Sequence, residues 1–237
     1  MFPTRSTPTR RRFILTTAML LVALTCATAM AAGWEEVSDD DGVVVSMKAV
    51  EGRDLPIFRG VAVIDSSMID IMAVLNDTEK ATEWMANCAE SKILKRLGDF
   101  ERIVYNRTDS PWPVSDRDVV IQSKTDINVE KRTIHVKFWS IKSPLKGEVE
   151  DVVRMPRLKG HYKFKALSRT RTRVEYQVDA DPGGSLPDWL AESATEDLPR
   201  KTLLGLAERA KKTSKDGTYK EFVAKWTERL ALDKLEK

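Results

Sequence analysis

Between Ser91 and Asp181 the hydropathy of the chain changes on a two-residue period with hardly a break, and this limits the fold more than any other feature. Ile134, Val136 and Phe138 oppose Thr133, His135 and Lys137. Leu158, Gly160, Tyr162 and Phe164 oppose Arg157, Lys159, His161 and Lys163, and Val174, Tyr176, Val178 and Ala180 oppose Arg173, Glu175, Gln177 and Asp179. Turns fall at "GDF", "SPWPVSD", "NVEK", "SPLKGEVED" and "LSRTRT". Such a run is an antiparallel meander with one wet face, and its other face must be covered. The cover follows directly. "DPGGSLPDWL" turns the chain at Pro182-Gly183-Gly184 and opens a helix, with Ser185 and Asp188 as its expected cap. Leu186, Trp189, Leu190, Ala194 and Leu198 share one side of that helix, and Pro199 is expected to kink it.

Ahead of the meander, Val43 to Val50 and Pro56 to Asp65 read as strands around an "EGRD" turn. Ser67 with Asp70 makes a capping box before the helical stripe Met68, Ile71, Met72, Leu75, and "TEKATEWMANC" reads as a second short helix. No repeat or Gly/Ser linker divides this part of the chain, so one α+β domain is expected. A last segment, Thr218 to Leu235, carries Phe222, Trp226 and Leu230 at helical spacing.

One position inside the meander resists simple patterning. In "SPWPVSDRDVVIQSKTDI" a strand from Arg117 puts Arg117, Val119, Ile121, Ser123, Thr125 and Ile127 on the more apolar face. Burying a guanidinium without compensation is costly, so Arg117 calls for an acidic partner, a polar cavity, or a different register.

The first 31 residues have a basic start without acids, an apolar stretch from Phe13 to about Met30, and an Ala29-Met30-Ala31 cleavage pattern. They are expected to be an export signal, by the general or the twin-arginine route given "TRRRFIL", with an uncleaved anchor as the alternative. Removing the four arginines Arg5, Arg10, Arg11 and Arg12 takes the net charge from +3 to −1, which gives no basic footprint for nucleic acid. Cys26 falls within the signal and leaves Cys88 alone, so no internal disulfide is expected and Cys88 is read as a packed residue.

Catalytic patterns are missing. His135 and His161 fall on polar strand faces, and there is no phosphate loop, no HExxH and no Cys/His cluster. No catalytic residue, metal or cofactor is expected. A curved sheet against a long helix either fills its interior or leaves a cavity for a hydrophobic molecule.

"PWPVSDRD" before an alternating strand and "DPGGSLPDWL" opening a C-terminal helix resemble the START family, the lipid-transfer domains related to the steroidogenic acute regulatory protein. The resemblance covers roughly Trp34 to Thr213. It implies a helix-grip fold, a curved antiparallel sheet wrapped around a long C-terminal helix, with a tunnel for one lipid. On that reading residues 1–31 are the signal, 34–213 the lipid-binding domain and 214–237 a helical extension. The implied ligand-facing residues are Arg117, Val119, Ile121, Ser123, Phe138, Tyr162, Phe164 and Tyr176 from the sheet, and Leu190, Ala194 and Leu198 from the helix. The resemblance further implies that Arg117 is a buried polar anchor near the tunnel, with a brace of the Pro-Trp-Pro turn against the last helix as the equal alternative, and that Ser143 to Asp151 form a loop at the tunnel mouth. In sterol-binding members a second arginine stands where this chain has Ser123, which sets this chain apart from them.

The expected protein is an exported, periplasmic, monomeric carrier of a lipid or other hydrophobic small molecule, with transient membrane contact, no nucleic acid and no enzymatic activity. Two alternatives stand beside it: a helix-grip enzyme of the polyketide aromatase/cyclase type, using Arg117, Tyr176 and Ser123, and an interaction module whose cavity is plugged.

Overall fold

A computed structural model of the chain describes residues 33–53, 55–185 and 187–230, without the side chains of residues 188 and 192–195. The expected export signal, the side chain of Ala194 and the chain beyond residue 230 lie outside the described residues.

The elements run β1 (Glu35–Asp40), β2 (Val43–Lys48), β3 (Ile57–Ile64), α1 (Met68–Asn76), a 3-10 turn (Thr78–Glu83), β4 (Cys88–Gly98) and β5 (Glu101–Thr108). They continue as β6 (Asp116–Asn128), β7 (Thr133–Ser140), β8 (Val152–Arg154), β9 (Arg157–Ala166), β10 (Thr172–Asp181), α2 (Asp188–Asp216) and α3 (Lys220–Arg229). The strands form one sheet in the order β1-β2-β3-β10-β9-β7-β6-β5-β4, and β8 adds to β6. Every pairing is antiparallel except the short β6–β8 step. The alternation predicted for β7, β9 and β10 is the alternation observed: Ile134, Val136, Phe138, Tyr162, Phe164, Val174, Tyr176 and Val178 are buried. β1 escaped the sequence reading because "EEVSDD" is too acidic to show an apolar face, and it pairs with β2 only by its backbone register and the Asp41-Gly42 turn.

Local chemistry sets the helices. Asp70 donates its backbone N–H to Ser67 Oγ at 3.0 Å, the capping box expected for α1. The second short helix is only a 3-10 turn, with no side-chain cap, and it delivers Ala81 and Trp84 to the core. The expected Ser185 cap of α2 is not made: Pro187 holds the N-cap position in extended conformation, and Ser185 gives its carbonyl to Arg117 instead. α2 then runs through Pro199 to Gly217, whose left-handed φ of 73° closes the helix with its N–H on the Thr213 carbonyl. The segment beyond Thr213 packs back onto the domain. Tyr219 donates its hydroxyl to Asp77 at 2.8 Å, and Trp226, 7% exposed, meets Phe100 edge-on at 5.2 Å.

α2 lies across β2, β3 and β10 and packs on α1. Two glycines allow the approach. A Cβ at Gly60 would stand 2.9 Å from Leu203 Cδ1 and 3.3 Å from Pro199 Cβ, so α2 is seated on bare β3 backbone. At Gly205 a Cβ would stand 2.1 Å from the Trp84 carbonyl oxygen, which neither helix nor turn can avoid without separating. We expect Gly205→Ala to destabilise the protein by about 1–3 kcal/mol, the usual cost of overpacking, with the loss read as a lower urea midpoint.

Candidate functional site

The concave face of the sheet and the start of α2 enclose a cavity of about 240 Å³. Its wall is laid down by the period-two faces of the central strands. β6 contributes Arg117, Val119, Ile121 and Ser123; Phe138, Tyr162 and Tyr176 come from β7, β9 and β10. Leu190 and Leu198 of α2 close it from the other side. Phe164, expected on the wall, lies behind it: its side chain is fully buried and its ring stacks on Tyr162 at 6.2 Å, because Tyr162 and Tyr176 fill the space in front of it.

Arg117 points inward and is 6% exposed, as the register of β6 demands. Among the described residues it has no carboxylate partner. Its guanidinium donates instead to two backbone carbonyls, Ser115 at 2.7 Å and Ser185 at 3.2 Å, and Nε is left without a partner. Burial lowers its pKa while neighbouring Asp116 opposes that shift. Arg117 therefore does two things at once. It ties the Pro-Trp-Pro turn to the start of α2, and it keeps an unpaired Nε–H on a residue of the cavity wall.

The next residue sends its charge the other way. Asp118, 1% exposed, faces the convex side of the sheet and takes a two-pronged ion pair from Arg154 of β8, Nε to Oδ1 at 2.6 Å and Nη2 to Oδ2 at 3.0 Å. The same guanidinium donates to the Gly147 carbonyl at 2.9 Å, and Lys146 lies 4.5 Å from the centre of the Tyr105 ring. The loop between β7 and β8 is thereby fastened over Tyr105 on the outside of β5 and β6. None of Ser143 to Asp151 is among the described residues that line the cavity. The loop is held by the Asp118–Arg154 pair, which sequence spacing did not reveal.

The remaining polar groups of the cavity are poor acids and bases. Tyr162 and Tyr176 stack at 4.4 Å, and burial pushes both phenols well above their ordinary range. Burial also raises the Cys88 thiol, which contacts the Glu90 carbonyl at 3.7 Å, to a pKa of about 11, so it stays protonated and unreactive. His135 and His161 lie together on the convex face with ring centres 4.9 Å apart, and His161 contacts Glu175 at 3.1 Å. Neither histidine lines the cavity.

Sequence reading missed the contribution of β5. Its inward face is Arg102, Val104, Asn106 and Thr108, a set too polar to be recognised as a wall. Asn106 accepts from Ser91 Oγ at 2.8 Å. Arg102 donates to the carbonyl and side-chain oxygens of Asn76, at 2.9 and 3.1 Å, and to the Leu75 carbonyl at 3.5 Å. Burial, with Arg96 nearby, lowers its pKa to about 10 and leaves it charged at neutral pH. Counting outward from the "SPWPVSD" turn would have found it, since Arg102 pairs with Ser123.

A curved antiparallel sheet gripping a long C-terminal helix over an apolar cavity defines a helix-grip protein. Residues 15–199 match the START domain family model, and the chain belongs to that family. It is 36% identical over 203 residues to an uncharacterised protein of Pseudomonas aeruginosa, spanning 85% of this chain and 97% of that one. A solved STAR-related lipid transfer protein fragment from Xanthomonas axonopodis is similar with a TM-score of 0.68 and 32% identity, over 76% of this chain and 99% of that one. Human phosphatidylcholine transfer protein is 23% identical over 168 residues, 70% of this chain and 78% of that protein.

The two charges that leave β6 in opposite directions give separable expectations. Arg154→Ala strands a buried carboxylate and should cost about 3–5 kcal/mol, with faster hydrogen exchange confined to residues 142–151 if the loop is fastened as described. Arg117→Leu removes charge-assisted bonds to two carbonyls and should cost about 1.5–3 kcal/mol in a denaturant titration, without releasing that loop.

Proposed function

We propose that this protein is an exported, non-enzymatic carrier that holds one lipid or similar hydrophobic molecule between its sheet and α2. The observation that carries the reading is the cavity itself: it is walled chiefly by Val119, Ile121, Phe138, Tyr162, Tyr176 and Leu198, and it lies where a carrier of this family would enclose its ligand. The relatives named for lipid transfer and phosphatidylcholine transfer support the same class of ligand. The basic and apolar start of the chain supports export to a periplasm.

A cyclase would need an acid and a base facing its substrate. Among the described lining residues Asp109 is the one carboxylate and there is no histidine, while the two tyrosines are held protonated by burial. This favours the carrier. The plugged interaction module is disfavoured by the cavity volume.

Delivery requires contact with a membrane, and Trp112 is suited to it. It stands 92% exposed between Pro111 and Pro113, on the turn that Arg117 ties to the start of α2, where Trp189 is 51% exposed. Such rings favour the boundary between water and lipid. The carrier acts as a monomer and without nucleic acid on this reading.

Native mass spectrometry of the protein purified from its own host should show one co-purified hydrophobic molecule per chain, and a fully unloaded protein that binds no lipid would remove the reading. The route of exchange has its own test. The Cβ positions of Gly60 and Pro199 are 3.3 Å apart, near the span of a disulfide, which is about 3.5–4.5 Å. In a Cys88→Ser background, oxidised Gly60→Cys/Pro199→Cys protein should exchange lipid between vesicles much more slowly than the reduced form. Equal rates would show that α2 does not lift from β3.

A further inference from the structure

The cavity wall carries a cation that no carboxylate pairs with, for the one acid among the described lining residues, Asp109, follows Thr108 at the Arg117 end of the β5–β6 ladder. Arg102 reaches into the cavity from β5, and among the described residues no carboxylate forms an ion pair with it. The acid beside it in sequence, Glu101, points to the other face of the sheet, where it meets Gln122 and Lys124. Three of the five N–H donors of Arg102 are used by the Leu75 and Asn76 oxygens, which leaves two. Those oxygens end α1, whose terminus carries only about half an elementary negative charge, so the site remains net positive. The same contacts hold the guanidinium in place without neutralising it.

Directly across from Arg102 in the β5–β6 register is Ser123. Its side chain is 7% exposed and on the cavity wall, and its hydroxyl has no hydrogen-bond partner among the described residues. A fixed cation with two unused donors and an unused hydroxyl thus face the same space from neighbouring strands. Arg117 is six positions back along β6, or ~20 Å at ~3.3 Å per residue, with Val119 and Ile121 between them on the same face. The arrangement is a polar end followed by an apolar wall.

Resting on the carrier reading above, we propose that Arg102 and Ser123 receive an acidic head group, and that the preferred ligand is a single-chain amphipath ending in a carboxylate. Two guanidinium donors and one hydroxyl match the two oxygens and single charge of a carboxylate, whereas a phosphate monoester would bring more charge and more oxygens than these donors satisfy. Size argues the same way. At about 240 Å³ the cavity is smaller than most ligand pockets, which hold ~300–1,000 Å³, so one hydrocarbon chain enters with less rearrangement than two.

The test titrates the purified, delipidated protein calorimetrically with oleate, oleyl alcohol and hexadecyl phosphate at about pH 8, where a carboxylate is ionised. Oleate should bind at least about tenfold more tightly than oleyl alcohol, as expected for charge-assisted hydrogen bonds in a buried site. Arg102→Gln should weaken oleate far more than oleyl alcohol and so abolish that preference, Arg102→Lys should restore part of it, and Ser123→Ala should weaken oleate more than oleyl alcohol. Should Arg102→Gln fail to fold, the Lys and Ala variants still decide. Equal binding of acid and alcohol by the unaltered protein, or a preference that survives in all three variants, overturns the proposal and leaves the carrier reading intact. Tighter binding of hexadecyl phosphate than of oleate overturns the carboxylate assignment. If none of the three probes binds, the single-chain assignment falls, and the carrier reading is decided by the native mass spectrum alone.

Discussion

β6 is buried on both faces at its start, and the molecule is organised around how two adjacent charges are accommodated there. Strand geometry forces Arg117 and Asp118 to opposite sides of the sheet. Asp118 goes outward under a loop and is neutralised by Arg154, which fixes β8 as a parallel addition and holds the β7–β8 loop on the convex surface. Arg117 goes inward and meets only carbonyl oxygens, one from the Pro-Trp-Pro turn and one from the approach to α2. A buried ion pair on one side is a fastening. A buried cation held by neutral acceptors on the other is a point of positive potential beside the cavity, and it couples that cavity to the first turn of the gripping helix.

The parts of this fold that could be read from sequence are those where hydropathy and burial agree. β7, β9 and β10 each put apolar side chains on the concave face and polar or charged ones on the other, so both their existence and their facing were legible, as was the α1 capping box. β5 breaks the rule that made this possible. Its concave face carries Arg102, Asn106 and Thr108, while its convex face carries Ile103 and the buried Tyr105 under the loop. Hydropathy therefore points to the wrong side of that strand, and Arg102 is invisible unless register is counted from the turn.

The fastening of the β7–β8 loop and the missed α2 cap have a related origin. Both depend on partners distant in sequence, Asp118 with Arg154 and Arg117 with Ser185, and neither pairing has a local signature. Ser185 followed by Asp188 is a good local capping pattern, but the Ser185 carbonyl is committed to a guanidinium 68 positions away, and the helix begins after Pro187. Tertiary hydrogen bonding to a charge outweighs a local cap, whose worth is about 0.5–2 kcal/mol. Phe164 illustrates the packing counterpart: period two gives the face, but the depth on that face is set by which neighbours are larger, and Tyr162 and Tyr176 stand in front.

The polar wall of β5 also bears on how such a domain tolerates its own interior. A dry, unfilled void of about 240 Å³, at ~24 cal/mol per Å³, would cost about 6 kcal/mol, comparable to the whole net stability of an ordinary domain. Arg102, Ser123, Asn106 and Arg117 change that balance, because they offer water several hydrogen bonds when no ligand is present. The unloaded state is then a hydrated cavity rather than an empty one, and its penalty falls well below the dry limit. Filling the cavity with a hydrocarbon chain releases that water and buries the aromatic and aliphatic wall, so occupancy stabilises the folded state by mass action. The difference between the two states remains small enough for exchange because the same side chains that would orient a ligand also solvate its absence.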